Sequence, residues 1–199
     1  MKRILIGAIA WLASALCSLP SAVMAQQALV IKPLAEKKVT ELPAGPLFWQ
    51  IENFPTLAQA HAVEGPLGLV VESEGKVWLF RLGPAGQSSA GGSKIAEVGP
   101  IPRVVATQYL LRINDASGPP GSLTPVHTHP GSEAFYVLAG EQSIRGPHGV
   151  MRVPVGQPEA GHGAEMPMQV SSSGTTDLHS LVMFVVDATK PFSSPAQLP

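Results

Sequence analysis

The chain has 199 residues with 13 basic and 14 acidic side chains, which give a formal net charge of −1 at pH 7. Surfaces that bind nucleic acid are basic, and the sequence has no segment rich in arginine or lysine, so we expect no nucleic-acid partner. The length suffices for one domain with a hydrophobic core, and after residue 25 no apolar segment is long enough for a transmembrane helix.

The first 25 residues are predicted to be a secretory signal peptide. Lys2 and Arg3 form a short basic region, and residues 4–16 form an apolar stretch that is too short to span a bilayer comfortably. Small residues precede a cleavage point after Ala25, so we expect a periplasmic or secreted protein with no membrane association after cleavage. The alternatives are an uncleaved anchor and a lipid-modified Cys17, although the residues before Cys17 lack the usual lipoprotein pattern.

Cleavage at this point would remove the only cysteine of the chain. The mature protein would then form no disulfide and offer no thiolate, so we expect any metal to be bound by nitrogen and oxygen. Export without cysteine suits a bacterial periplasm or exterior, where free thiols oxidise. The loss of Lys2 and Arg3 would change the formal net charge from −1 to −3.

Residues 26–65 are predicted to be an N-terminal extension. Their first part, residues 26–46, has mixed polarity and indicates an ordered arm or an early edge strand. Residues 55–63 predict a short helix, because a proline stands at the start, good helix formers follow, and Gly65 and Pro66 end it.

From residue 66 to residue 199, the pattern predicts one strand-rich domain. The 20 glycines and 20 prolines fit many short strands joined by turns. The strongest signals are two strands joined at Glu74-Gly75 and a last strand apolar enough to be buried on both faces. The predicted strands cover residues 67–73, 76–82, 104–113, 133–140, 149–156, 166–173 and 178–186, with a loop at 84–94. This pattern predicts an all-β fold, a closed or sandwiched antiparallel structure.

The segment TPVHTHPGSEAFYVLAGE, residues 124–141, contains the strongest candidate site. His127 and His129 are two residues apart, so in an extended chain they share one face, and Glu133 keeps the same parity. Two imidazoles and one carboxylate are a metal-ligand set that leaves coordination positions open for water, oxygen or substrate. Phe135 and Val137 continue this face as an apolar wall. The alternative is two loop histidines and a surface glutamate.

The spacing extends beyond the histidines as G-x5-H-x-H-x3-E-x6-G, from Gly121 to Gly140. This spacing resembles the first motif of the cupin superfamily position for position. The resemblance implies that residues 66–199 form a small β-barrel of the double-stranded β-helix or jelly-roll type, with its core at about 104–187 and a metal near its centre. It also implies that His127, His129 and Glu133 are ligands of a divalent transition metal, one of Fe, Mn, Ni, Cu or Zn.

The second cupin motif, which supplies a further histidine ligand, is not matched. One placement of this motif puts Glu159 at the histidine position, and a preferred placement on GAEMPMQVSSSG puts Met168 there and Ser172 at the asparagine position. Methionine is a poor ligand for hard divalent ions, so we expect Met168 to be core packing. His162, six residues before Met168, is the candidate substitute, as a fourth ligand or a proton-transfer group, with a loop histidine as the alternative.

The other titratable side chains are weaker candidates. Glu159 and Glu165 are candidates for the mouth of the barrel. His61 on the predicted helix and His148 in a Gly-Pro-His-Gly turn are expected at the surface. His179 alternates with apolar positions of the last predicted strand and is expected to be a hydrogen-bonded barrel histidine.

Most of the mature chain, in particular residues 48–84 and 171–192, resembles secreted bacterial proteins with one cupin type-2-like domain and an N-terminal extension, a group without an assigned reaction. Because this fold supports many functions, three classes stay open. One is a metal-dependent enzyme, of the oxygenase or isomerase type, acting on a small organic molecule. Another is a non-catalytic periplasmic binding or sensing module, and the third is a structural or storage role with a vestigial site. Residues 26–60 are candidates for the interface of a homodimer.

Overall fold

A computed structural model describes residues 27–199. The predicted signal peptide, its cleavage site and Cys17 lie outside the described residues. Within residues 27–199, no helix has the length and apolar character needed to cross a membrane.

The described residues form short strands and one helix, in an order that alternates hairpins with longer connections. The first half contains β1 (Val30–Val39), β2 (Phe48–Phe54), α1 (Leu57–Val63), β3 (Gly68–Ser73), β4 (Lys76–Gly83), β5 (Ser93–Val98) and β6 (Tyr109–Gly118). The second half contains β7 (His127–Thr128), β8 (Gly131–Ala139), β9 (Glu141–Gly146), β10 (Gly149–Pro154), β11 (Pro158–Glu159), β12 (Gln169–Ser172), β13 (Leu178–Asp187) and β14 (Ser194–Pro195).

The central layer is a five-stranded antiparallel sheet with the order β1-β6-β13-β8-β11. A three-stranded sheet, β10-β9-β12, faces one side of it, and a four-stranded sheet, β3-β4-β2-β5, covers the other side. The central sheet and the three-stranded sheet together form a small β-barrel around one hydrophobic core. The predicted all-β fold is therefore confirmed.

Two hydrophobic cores follow from the alternation of side chains along the central strands. On β6, Leu111 and Ile113 join the core against the four-stranded sheet, whereas Leu110 and Ala116 join the core of the barrel. Residues of β13 contribute to both cores in the same alternating way. The prediction that the last long strand is buried on both faces is therefore confirmed.

Several local predictions are confirmed at the level of individual residues. The strands β3 and β4 are joined by a two-residue turn in which Glu74 and Gly75 both have positive φ, of 51° and 67°. This backbone is that of a tight hairpin, and glycine adopts it without strain. The helix α1 begins after Thr56, whose side chain accepts a hydrogen bond from the backbone N–H of Gln59 at 3.3 Å.

Other local predictions are wrong or incomplete. The strand predicted at 104–113 is β6, five residues further along, because the apolar Val104 and Val105 lie before it in a loop, where Val105 is 84% exposed. The strands β2, β5 and β9 were not predicted from the sequence. The predicted extension supplies β1, an edge strand of the central sheet, and β2, an inner strand of the four-stranded sheet.

Candidate functional site

The barrel encloses a cavity of about 360 Å³. Its walls are mostly apolar, and its polar groups include two histidines, one glutamate and one asparagine. The cavity is lined by Ile31, Asn114, Ala116, Thr124, Pro125, Val126, His127, His129, Glu133, Phe135, Val170, Val182, Phe184, Phe192, Ser193 and Pro195. The three ligands predicted from the first motif therefore line one cavity.

His127 is held between two neighbouring segments. Its backbone N–H donates to the carbonyl of Met168 at 2.9 Å, and the backbone N–H of Met168 donates back at 2.9 Å. On its other side, β7 pairs with β14, so that His127 stands opposite Pro195. Because both sides of this short strand are paired, the histidine backbone is fixed although β7 is only two residues long.

The two imidazoles have the same protonation pattern. The Nδ1–H of His127 donates to the carbonyl of Pro125 at 2.9 Å, and the Nδ1–H of His129 donates to the carbonyl of Phe192 at 2.6 Å. A carbonyl oxygen only accepts, so Nδ1 carries the proton in each ring and Nε2 of the neutral ring keeps a lone pair. The ring centroids are 4.9 Å apart and the planes nearly perpendicular, at 84°. Two nitrogen donors therefore stand side by side in one cavity.

The ring of His129 lies in an apolar environment. It is 4% exposed, and its centroid lies 4.9 Å from that of Phe184 and 4.8 Å from that of Phe192. Burial lowers the pKa of His129 to about 4, and the hydrogen bond to the Phe192 carbonyl only partly opposes this effect. His129 is therefore neutral at physiological pH, the form in which a histidine binds a metal.

Glu133 is the most unusual polar residue of the cavity. It lies on β8 opposite Phe184 of β13 and is 3% exposed. Its Oε2 atom has no hydrogen-bond partner within residues 27–199, and burial raises the pKa of its carboxyl to about 8. The Oδ1 atom of Asn114, which lines the same cavity, also lacks a partner in this part of the chain. Unpaired buried polar atoms are unfavourable, so the cavity suits a ligand that offers them a polar or charged partner.

The donor types fit a divalent transition metal, whereas their positions fit it only in part. Two imidazole nitrogens with free lone pairs and one carboxylate suit Mn, Fe, Ni, Cu or Zn. Across residues 27–199, however, no group of three or more His, Cys, Asp or Glu side chains is arranged to hold a metal ion. The side chains of His127, His129 and Glu133 must therefore rearrange before all three can bind one ion.

His162, the candidate fourth ligand or proton-transfer group, does not line the barrel cavity. Its backbone carbonyl accepts from the N–H of Glu133 at 3.2 Å, but its ring lies in a different cavity, next to the turn between β9 and β10. Burial lowers the pKa of His162, although the ring does not lie at the barrel centre. Met168, by contrast, is buried in the barrel core and pairs with His127, so the prediction of core packing is confirmed.

The remaining candidates lie outside the barrel cavity. Glu159 caps its own loop by accepting the N–H of Gly161 at 3.2 Å, and Glu165 lies 3.6 Å from Lys190 at the surface. Neither of these two weaker candidates lines the cavity. His61 and His148 are exposed, as predicted.

His179 is hydrogen-bonded on both ring nitrogens, also as predicted. One nitrogen bonds Asp115 of the neighbouring strand, and the other bonds Glu74 at 2.9 Å. Because Glu74 lies in the turn between β3 and β4, this pair of contacts joins the four-stranded sheet to the central sheet.

Two residues of the site were missed from the sequence. Asn114 lies on the cavity face of β6, and the predicted strand stopped at residue 113, one position before it. An extended strand would have placed Asn114 on the face of Leu110 and Ala116 by parity. Phe192 follows the last long strand and packs on His129, and its ring centroid lies 4.1 Å from the Cζ atom of Arg112. No local pattern indicates that this segment folds back over the cavity.

No protein-family model matches the chain, and no curated protein matches it. Solved structures do match. They include an uncharacterized protein with a double-stranded β-helix domain from Klebsiella pneumoniae, 19% identical over 44% of this chain and 75% of that chain, with a TM-score of 0.38. A cupin-like protein from Thermotoga maritima is 13% identical over 44% of this chain and 65% of that chain, with a TM-score of 0.38.

A third similar structure is the DMSP lyase DddQ from Ruegeria pomeroyi, 22% identical over 43% of each chain, with a TM-score of 0.38. The match spans less than half the length of the DMSP lyases. The structures similar to this chain include cupin and double-stranded β-helix proteins. At these identities and TM-scores the likeness says nothing about the reaction.

Proposed function

We propose that the barrel cavity binds a small, largely apolar organic molecule next to a divalent transition metal held by His127, His129 and Glu133. One observation carries this proposal: both histidines donate from Nδ1 to carbonyls and so keep a free Nε2 lone pair, in the same mostly apolar cavity as an unpaired carboxyl. Apolar cavities with a few polar groups at one end are the usual form of small-molecule sites.

A metal bound there would supply a Lewis acid with coordination positions open to the ligand. The protein's own residues supply the rest. The carbonyls of Pro125 and Phe192 orient the two imidazoles, as outer hydrogen bonds do in other metal sites. The rings of Phe184 and Phe192 exclude water from His129, and Asn114 offers the ligand a hydrogen-bonding group.

Binding without catalysis is the version that the cavity supports best. With His162 in another cavity, the titratable groups of the barrel cavity are the three assigned to the metal, and no separate general base lines it among residues 27–199. A metal-dependent oxygenase-type or isomerase-type reaction is the second candidate, because a three-ligand metal leaves positions for substrate or oxygen. The DMSP lyases among the similar structures are enzymes, but their likeness carries only the fold.

Metal binding is tested first. Protein purified without chelator should contain one Mn, Fe, Ni, Cu or Zn per chain by elemental analysis, and the added metal should raise the melting temperature. His127→Ala should abolish both effects. His61→Ala is the matched control, because His61 is exposed and also bonds one neighbouring side chain, Glu64, at 2.9 Å. If the purified protein contains no metal and His127→Ala leaves ligand binding unchanged, the metal is not part of the site.

The cavity itself is tested with a panel of small organic acids and phenols. Ala116→Leu places a larger side chain in the cavity and so reduces the space for a ligand, which should weaken binding of any panel member. Val105→Leu at the exposed surface should not weaken it. Saturable binding without product or oxygen consumption supports the binding module. Turnover that is lost in Glu133→Ala supports the enzyme. If Ala116→Leu binds the panel as tightly as the unaltered protein does, the barrel cavity is not the binding site.

Export and self-association complete the proposal. We propose a periplasmic or secreted protein, since residues 1–25 have the pattern of a signal peptide. Cell fractionation and N-terminal sequencing should find the mature protein outside the cytoplasm, beginning at Gln26. A homodimer is proposed through residues 26–60, which include the edge strand β1, and size-exclusion chromatography with light scattering measures it.

A further inference from the structure

A second cavity, of about 210 Å³, lies at the turn between β9 and β10. In the described part of the chain it shares no lining residue with the barrel cavity. Four of its lining side chains carry soft or borderline donor atoms, two imidazoles and two thioethers: His148, Met151, His162 and Met166. The others are Ile144, Gly146, Pro147, Gly149 and Val150, none of which brings a charged or polar side-chain atom.

Three separate elements bring the four donors together. His148 lies in the two-residue turn between Gly146 and Gly149, which pair as the ends of β9 and β10. Met151 lies on β10 opposite Ile144, and its partly buried side chain packs against the barrel core. His162 and Met166 come from the segment between β11 and β12. The convergence is therefore a product of tertiary structure.

His162 supplies the observation that points to a ligand. Its Nε2 atom is buried and has no hydrogen-bond partner among residues 27–199. The same atom lies 3.4 Å from the position that a Cβ atom would occupy at Gly146, so it faces the backbone of the turn that carries His148. An unpaired buried ring nitrogen is unfavourable and is ordinarily satisfied by water or an ion.

We propose that this cavity binds Cu(I) through His148, His162, Met151 and Met166. Thioether sulfur is a soft ligand that selects Cu(I) over Zn and the harder divalent ions, and imidazole suits copper as well. The expectation that any metal is bound by nitrogen and oxygen followed from the absence of a thiolate and from the poor fit of methionine to hard divalent ions. Cu(I) is a soft ion, so that argument does not exclude thioether ligands here.

The site is independent of the proposed metal of the barrel cavity. The barrel cavity is lined by histidine and carboxylate donors and by no methionine among the described residues. The two sites therefore differ in the one donor type, sulfur, that spectroscopy distinguishes directly. Failure of one proposal leaves the other intact.

The test is a competition titration of Cu(I) against the chromogenic chelator bicinchoninate under anaerobic, reducing conditions. The full chain is used with Cys17→Ser, so that the only cysteine cannot bind copper. The protein should withhold Cu(I) from the chelator, and Met166→Leu should weaken this binding at least tenfold. Leucine has nearly the volume of methionine, so the fold should persist, which a melting curve checks. His162→Gln should weaken binding as strongly, and the exposed His61→Ala should not.

X-ray absorption at the copper edge identifies the ligands. The Cu(I)-loaded protein should give sulfur scattering, which should disappear when Met151 and Met166 are both replaced by leucine. Met183→Leu, a substitution of a methionine in the other hydrophobic core, should retain it. Three outcomes would each overturn the proposal. They are copper bound without sulfur scattering, the same Cu(I) affinity with and without Met166→Leu in the Cys17→Ser protein, and failure of the protein to withhold Cu(I) from the chelator.

Discussion

Replacing Glu133 with glutamine keeps the shape of the side chain and removes its ability to ionise. The pKa of this carboxyl is about 8 in the folded protein because of burial, against an ordinary value of 4.5. In the unfolded chain the group therefore loses its proton several pH units earlier than in the folded protein. Since the folded pKa is raised, the contribution of Glu133 to stability is full below about pH 4.5 and is lost as the pH rises towards 8.

The size of this effect follows from the two pKa values. Each pH unit between them corresponds to about 1.4 kcal/mol, so ionisation of Glu133 should lower the free energy of unfolding by about 3 kcal/mol at pH 7. In the absence of metal, the free energy of unfolding of Glu133→Gln minus that of the unaltered protein should therefore increase by about 3.5 kcal/mol from pH 5 to pH 8. His129, whose lowered pKa makes stability fall below about pH 6.5, contributes equally to both proteins and cancels in the difference.

Urea unfolding at half-unit pH steps from 5 to 8, in the presence of EDTA, measures this difference. Phe135→Leu is the control, because Phe135 is the next residue on the same face of β8 and the change is between neutral side chains. Its curve should lie parallel to that of the unaltered protein. Parallel curves for Glu133→Gln as well would refute the reasoning.

The same experiment connects the buried carboxyl to the proposed metal. A metal ligand must be ionised, so a bound metal favours the charged form of Glu133 and opposes the effect of burial. In the metal-loaded protein, the pH-dependent advantage of Glu133→Gln should therefore disappear. Persistence of this advantage under saturating metal would show that Glu133 is not a ligand, even where His127 and His129 bind the ion.

Three further predictions concern the surroundings of the site. Phe192→Ala should admit water to His129 and raise its pKa from about 4 towards 6.5, measured by NMR titration of the ring; an unchanged pKa would mean that Phe192 does not shield it. His179→Gln should lower the free energy of unfolding by about 1–2 kcal/mol, mainly through loss of the largely buried contact with Asp115, since Glu74 is exposed. The exposed His61→Gln should change it by less than about 0.5 kcal/mol in the same urea titration. Gly131→Ala should destabilise by about 3 kcal/mol or prevent folding, because the new Cβ would overlap the backbone of β13, and a normal melting temperature would contradict this.

The first motif shows how far local sequence predicts a site. Successive side chains of a strand alternate between faces, so the spacing of His127, His129 and Glu133 was enough to place all three along one cavity. The same rule predicted the hairpin at Glu74-Gly75 and the doubly buried β13, because a tight turn and a continuous apolar run are properties of a few neighbouring residues.

His162 shows where local sequence stops being informative. Between β11 and β12 the chain has no periodic pattern that fixes which way a side chain points. The ring could have faced the barrel centre on sequence alone, but the packing of the segment against the β9–β10 turn directs it elsewhere. Phe192 is a similar case, because its contact with His129 depends on the course of the segment after β13.

The sequence by itself determined the strand-rich fold class, the hairpin, the short helix and the shared cavity of His127, His129 and Glu133, since each depends on residues close together along the chain. The tertiary structure decided how the sheets stack, where β1 and β2 insert, and which loop side chains meet. Those contacts join residues tens of positions apart, and their free energy depends on burial and hydrogen bonding that exist only after packing. The unpaired carboxyl of Glu133 and the His–Met cavity at the β9–β10 turn arise at that level.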